Sequence, residues 1–153
     1  MSHLDLKVPP DVVALVVGAF MWGVSLVTPA LAFSSALRAL PALALLLVGC
    51  GFIVAARLAF AHADTTFSPV SPDRSRHLVV SGVYHLTRNP MYLGTLLVLL
   101  ALAIWLSSPA AALVSLAYVA YIDRFQIRPE ERVLHARFGS AYERYVASVR
   151  RWA

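Results

Sequence analysis

The chain is short of charge, and of cysteine above all. Charged residues make up 14% of its 153 positions, and there is one cysteine, Cys50. A single thiol excludes an internal disulfide framework. Hydrophobic residues reach 59% and the mean hydropathy is +0.72, so a water-soluble domain of this size is excluded as well. No Gly-x-Gly-x-x-Gly, phosphate-binding loop or Gly-x-Ser-x-Gly occurs, which removes a dinucleotide fold and a hydrolase elbow. His77 and His85 stand too far apart to form a ligand motif, so no metal site is expected. No RNA- or DNA-binding pattern accompanies the basic residues.

What remains is apolar sequence in long runs. The apolar runs 12–33, 40–61, 92–106 and 110–127 alternate with short polar connections, and the membrane helices expected from them are 12–33, 40–61, 90–107 and 109–127. They predict an all-α, polytopic membrane helix bundle of about four transmembrane helices, a single domain over 1–153. The third and fourth runs are joined by Ser107, Ser108 and Pro109, which reads as a helical hairpin. The third is short for a bilayer core that needs roughly 20 helical residues. It must therefore include the turn at Pro90–Met91 or be partly re-entrant. The first run lacks a basic leader beyond Lys7 and reads as a retained helix rather than a signal peptide. Cys50, between Gly49 and Gly51, is expected to be a packing thiol at a close helix approach.

The basic residues are distributed by topology. Lys7 precedes the first run, Arg38 is alone in the first connection, and Arg74, Arg76 and Arg88 occupy the second. Seven arginines, from Arg124 to Arg151, end or follow the fourth run. The positive-inside rule places both termini and the long second connection in the cytoplasm. The net charge of +5 then suits anionic lipid headgroups rather than nucleic acid. Arg57 is expected to snorkel from the second run.

Two polar clusters end the hydrophobic runs on that side: Tyr84/Arg88/Asn89/Tyr92 and Arg124/Arg128/Glu130/Glu131. A hairpin returns the chain to the side it left, so the clusters are expected to meet. Asn89 before Pro90 should be extended, and Pro90 suits the first turn of a helix whose unpaired N–H groups attract anions. His77–Val80 reads as an apolar clip lying back on the membrane face. A final helix over 129–150 opens at Pro129 with Glu130 and Glu131 in its first turn. Leu134, Phe138, Tyr142, Tyr145 and Val149 recur along one face, predicting an interfacial amphipathic helix bent at Gly139.

These residues resemble the isoprenylcysteine carboxyl methyltransferase and phospholipid methyltransferase superfamily of membrane enzymes. The shared pieces are Leu78-Val79, Ser81-Gly-x-Tyr84, Arg88-Asn-Pro-x-Tyr92-x-Gly94, Glu130-Glu-x-x-Leu134, Phe138-Gly-x-x-Tyr142-x-x-Tyr145 and Val149-x-Arg151. The resemblance runs from Arg76 to Trp152. It implies a methyltransferase using S-adenosylmethionine, with a lipophilic, membrane-associated acceptor: an isoprenylcysteine-type carboxylate, a lipid amine or similar. Carried over by position, Arg76, His77, Leu78, Val79, Tyr84, Asn89, Pro90, Met91, Tyr92 and Glu130 would contact the cofactor. Glu130 and Arg128 are the candidates at the reacting centre. The isoprenylcysteine branch has His where this chain has Asn89, and a substrate-binding arginine near Gln126, so a carboxylate acceptor fits less well. An NADPH-dependent membrane reductase of related fold and a non-catalytic membrane scaffold are the alternatives. Oligomeric state is not readable.

Overall fold

A computed structural model describes residues 5–62 and 77–153. Arg74, Arg76 and the proline turns of the second connection lie outside the described residues. Helix α1 spans Pro10–Val27, with proline at its first position and Asp11 in its first turn, where an acid meets the positive helix end. It stops earlier than the apolar run suggested. Thr28 precedes Pro29, and the proline ring drives Thr28 into extended geometry (φ −116°, ψ 150°). Helix α2, Ser35–His62, conversely begins before the expected position 40. The Ser34 hydroxyl accepts from Leu37 N at 3.3 Å and supplies the start. Pro41 is accommodated near that end.

A short 3-10 turn, Gly82–His85, leads into α3, Pro90–Trp105, so α3 does include Pro90 and Met91. Ser107 turns the chain at φ +50°. Ser108 then caps α4 (Pro109–Ile122) by accepting from Ala111 N at 3.1 Å. The hairpin is as expected.

The largest departure follows α4. Pro129 does not open a separate helix; the chain runs through a π turn, Asp123–Ile127, straight into α5, Arg128–Phe138. Pro129 has no N–H, so the Phe125 carbonyl one turn back loses its usual partner. Leu6 N donates to that carbonyl instead, at 3.0 Å. The Gln126 amide fixes the same N-terminal segment by donating to Val8 O. At Gly139 (φ +49°) the helix breaks and α6, Ser140–Ser148, turns back. The bend anticipated there is a full interruption.

The helices α1, α2 and the continuous stretch Pro109–Phe138 are long and apolar enough to cross a bilayer, and α3 is a shorter apolar helix. Leu15, Val16, Trp22, Leu26, Leu47, Val54 and Leu58 point outward from α1 and α2. A surface that apolar is stable in lipid: the chain is an integral membrane protein. Lipid tails are as apolar as leucine, so close packing rather than water exclusion must hold such helices together. Helix α2 lies along α3, and α1 along α4. The α2–α3 contact is tightest at Gly49 and Gly94, where a Cβ on Gly94 would sit 2.6 Å from the Gly49 carbonyl oxygen. Cys50 corrects its expectation. It is exposed and so is no packing thiol, while its small neighbour Gly49 makes the close helix approach as expected. Arg57 is exposed too, consistent with snorkelling.

Candidate functional site

At one end of the bundle Asn89 precedes α3; at φ −127°, ψ 54° it is not extended as expected before a proline, and its side chain does not cap the helix. Its amide donates instead to the Arg151 carbonyl at 2.8 Å, which also accepts from Thr87 Oγ1 at 3.1 Å. Arg88 N donates to Arg150 O at 2.9 Å. The C-terminal segment is thereby stitched to the loop before α3, and the first amide groups of α3 gain no side-chain cap.

One turn into α3, the Tyr92 hydroxyl donates to Glu130 Oε2 at 3.0 Å. The π turn sets this contact, because one extra residue per turn rotates α5 relative to α4. The Tyr145 hydroxyl, from α6, donates to Tyr84 O at 2.8 Å. The Tyr84 ring meets Phe60 of α2 edge to face, centroids 5.6 Å apart. Burial, with the Glu130 carboxylate adding to it, holds the Tyr84 phenol well above its ordinary value. Burial does the same to Tyr145, partly opposed by the Arg88 cation. Both phenols therefore remain protonated, as donors rather than bases, at physiological pH.

Between these groups lies a cavity of about 60 Å³. His77, Leu78, Val79, Tyr84, Asn89, Pro90, Met91, Tyr92 and Glu130 all line it. Of the residues that sequence reasoning assigned to a cofactor, only Arg76 is missing, and it lies outside the described residues. The clip 77–80 closes one side; Val79 packs in a cluster with Tyr84, Met91, Tyr142, Tyr145 and Val149. That cluster takes up the apolar face of α5 and α6. The face expected to lie on lipid is packed against protein.

Glu130 and Glu131, adjacent in sequence, part company here. Glu131 turns away from Tyr92 and bridges two cations: Arg88 Nη2 at 3.2 Å, and Arg151 through Nη2 at 2.6 Å and Nε at 3.1 Å. Arg151 also reaches Asp123 at 3.1 Å. Arg88 keeps one buried donor, Nε, without a partner among the described residues. Arg128 is not in the cavity. It is largely exposed, donates to Asp123 at 2.7 Å, and lines a neighbouring open groove with Arg88, Arg124, Arg132 and Arg151. Gln126 is fully buried and lines neither space.

Sequence reasoning singled out Arg88 in the first polar cluster without assigning it to the cofactor, and missed Phe60, Leu134 and Tyr145 as cavity walls. Phe60 carried no signal, being one aromatic in an apolar run. Tyr145 and Leu134 were visible in the spaced C-terminal pattern and in the family resemblance, though not as cofactor contacts.

The family model described as phospholipid methyltransferase matches residues 37–141. A protein of Haemophilus influenzae described as uncharacterized is 45% identical over 62 residues, which are 40% of this chain and 98% of that protein. No solved structure matches.

Proposed function

This chain belongs to the phospholipid methyltransferase family, and on that premise we propose that the cavity at Tyr92 and Glu130 holds its methyl donor. Membership makes it an S-adenosylmethionine-dependent methyltransferase with a membrane-associated substrate. The observation carrying the proposal is the Tyr92–Glu130 hydrogen bond at 3.0 Å, which joins the two distant sequence motifs.

The side chains fit that donor. Glu130 keeps acceptor capacity for ribose hydroxyls or an ammonium group after taking one bond from Tyr92. The buried, unpartnered Arg88 Nε and the uncapped start of α3 suit a carboxylate. Tyr84, Tyr92 and Phe60 offer ring faces to an adenine or a cation. A nucleoside site of roughly 300 Å³ exceeds the enclosed space, so the 77–80 clip has to shift on binding. When bound, the donor supplies a methyl group to a nucleophile. The chain's residues hold the partners in line and exclude water.

The acceptor we propose is a phospholipid amine. The groove lined by Arg88, Arg124, Arg128, Arg132 and Arg151 would take its phosphate, which gives Arg128 a binding role beside the cavity rather than at the reacting atoms. The four helices α1–α4 span the bilayer in this reading, with both termini and the site cytoplasmic, within one domain. Calorimetric titration of S-adenosylhomocysteine into detergent-solubilised protein tests the cavity, and unchanged affinity in Glu130→Ala and Tyr92→Ala would sink it. Incubating membranes with methyl-labelled donor and identifying the labelled lipid by mass spectrometry tests the acceptor.

A further inference from the structure

The opposite end of the bundle carries one charge. Positions 12–56 contain no Asp, Glu, Lys or Arg except Arg38, and positions 89–122 contain none. Phe60, at the cavity, lies 22 residues further along the same helix, about 33 Å at 1.5 Å per residue. Arg38 thus stands roughly one bilayer core away from the methyl-donor site.

A lone arginine at a membrane surface ordinarily extends its head into water. Arg38 lies down instead. Its Nη1 donates to the Trp105 carbonyl at 3.3 Å, and its guanidinium sits 5.7 Å from the Trp105 ring centre. Its Nε is buried without a hydrogen-bond partner among the described residues. A second orphan is nearby: the Ser107 hydroxyl is also buried and unpartnered, on a residue only 5% exposed. Ser107 cannot readily turn elsewhere. Its backbone is left-handed at φ +50°, and its carbonyl accepts from Leu31 N at 2.8 Å.

Arg38 and Ser107 line one cavity of about 600 Å³, whose walls are apolar, among them Leu37, Pro41, Leu45 and Ile104. Two buried donors without acceptors are costly in a low-dielectric setting. A cation with no ion-pair partner among the described residues adds to that cost. One ligand answers both: an anionic phosphate with hydrocarbon chains. We propose that this cavity is a binding site for an anionic phospholipid of the leaflet opposite the methyl-donor site, its phosphate held by Arg38 and Ser107 and a chain along the α2–α3 wall. The lipid is a bound structural ligand here, distinct from the methyl acceptor. The site stands on its own geometry and survives if the donor cavity is wrongly assigned.

The test uses Trp105 as reporter, in full-length protein carrying Trp22→Phe and Trp152→Phe in an uncharged detergent. Dihexanoyl phosphatidylglycerol, dihexanoyl phosphatidylcholine and inorganic phosphate are titrated separately, following fluorescence. The anionic lipid should bind on the order of tenfold more tightly than the zwitterionic one, because both present a phosphate but choline sets a second cation beside Arg38. Inorganic phosphate should not compete at matched concentration. Arg38→Gln should erase the preference while Arg57→Gln keeps it; Ser107→Ala should reduce it. Circular dichroism identifies a variant that fails to fold, in which case Arg38→Lys replaces it, with weaker preference expected. Equal affinity for the two lipids, a preference that persists in folded Arg38→Gln, or full competition by phosphate alone overturns the proposal.

Discussion

The two ends of this bundle solve the same problem, polar groups beside a membrane, in opposite ways. At the end that carries Tyr92 and Glu130, charges are numerous and mutually paired: Glu131 holds Arg88 and Arg151, Asp123 holds Arg128 and Arg151, and Asp5 holds Arg132. At the other end one cation rests on an indole, with two buried donors unanswered among the described residues. A paired network fixes geometry without a ligand, whereas unpaired donors await one. The Tyr92–Glu130 cavity combines both conditions. Its frame is tied down by Glu131 and the Arg151 carbonyl, and Glu130 and Arg88 Nε retain bonding capacity toward the interior.

The contrast breaks most sharply at Glu130. Replacing it by alanine should weaken S-adenosylhomocysteine binding by about 3 kcal/mol, the upper range for a hydrogen bond to a charged group. Calorimetry giving wild-type affinity would mean that the two motifs meet for structural reasons alone. Next comes the joint that both ends share. Gly94→Val would drive a side chain into the Gly49 carbonyl, and overpacking of that kind costs about 2 kcal/mol. Thermal unfolding in detergent should show it, whereas Gly51→Ala, which meets nothing within 4 Å, should unfold like wild type.

A smaller effect is expected at Glu131. Changing it to glutamine leaves Arg88 and Arg151 poorly paired; with Arg151 about a third exposed, the loss is about 1 kcal/mol. It should appear as faster tryptic cleavage near Arg150 and Arg151, and resistance equal to wild type would count against the network as the frame. The smallest effect concerns proton uptake. Tyr84 and Tyr145 are both held above their ordinary phenol values. A raised phenol stays neutral through the usual working range and loses its proton only above its unfolded value. Cofactor affinity at pH 7 and pH 9 should therefore match in respect of these groups, and Tyr84→Phe should leave that comparison unchanged. A loss at pH 9 in wild type that Tyr84→Phe removes would show that the phenol titrates.

Much of this was readable one residue at a time. Asn89–Pro90 announced a helix start, and it occurs, although Asn89 itself, at ψ 54°, is not extended. The hairpin at Ser107–Pro109 and the break at Gly139 were legible because serine caps, proline and a left-handed glycine act locally. The end of the first helix carried a local signal as well: Thr28 before Pro29 stops the helix within a continuing apolar run. Other features had no local signature. Nothing in Glu130-Glu131 says which carboxylate faces Tyr92. The π turn that decides it depends on Leu6, more than a hundred residues away, meeting the carbonyl that Pro129 leaves open.

The sequence by itself determined the class: apolar runs of bilayer length must be helical, since lipid offers the backbone no hydrogen bonds. It also determined which residues carry the methyltransferase pattern and at which helix ends they lie. Only the tertiary structure separated Glu130 from Glu131, moved Arg128 out of the cavity, brought Phe60 in and left Arg38 and Ser107 facing a common apolar space. Those outcomes rest on rotation about helix axes and on contacts between segments far apart in the chain. Neither is encoded by the spacing within one segment.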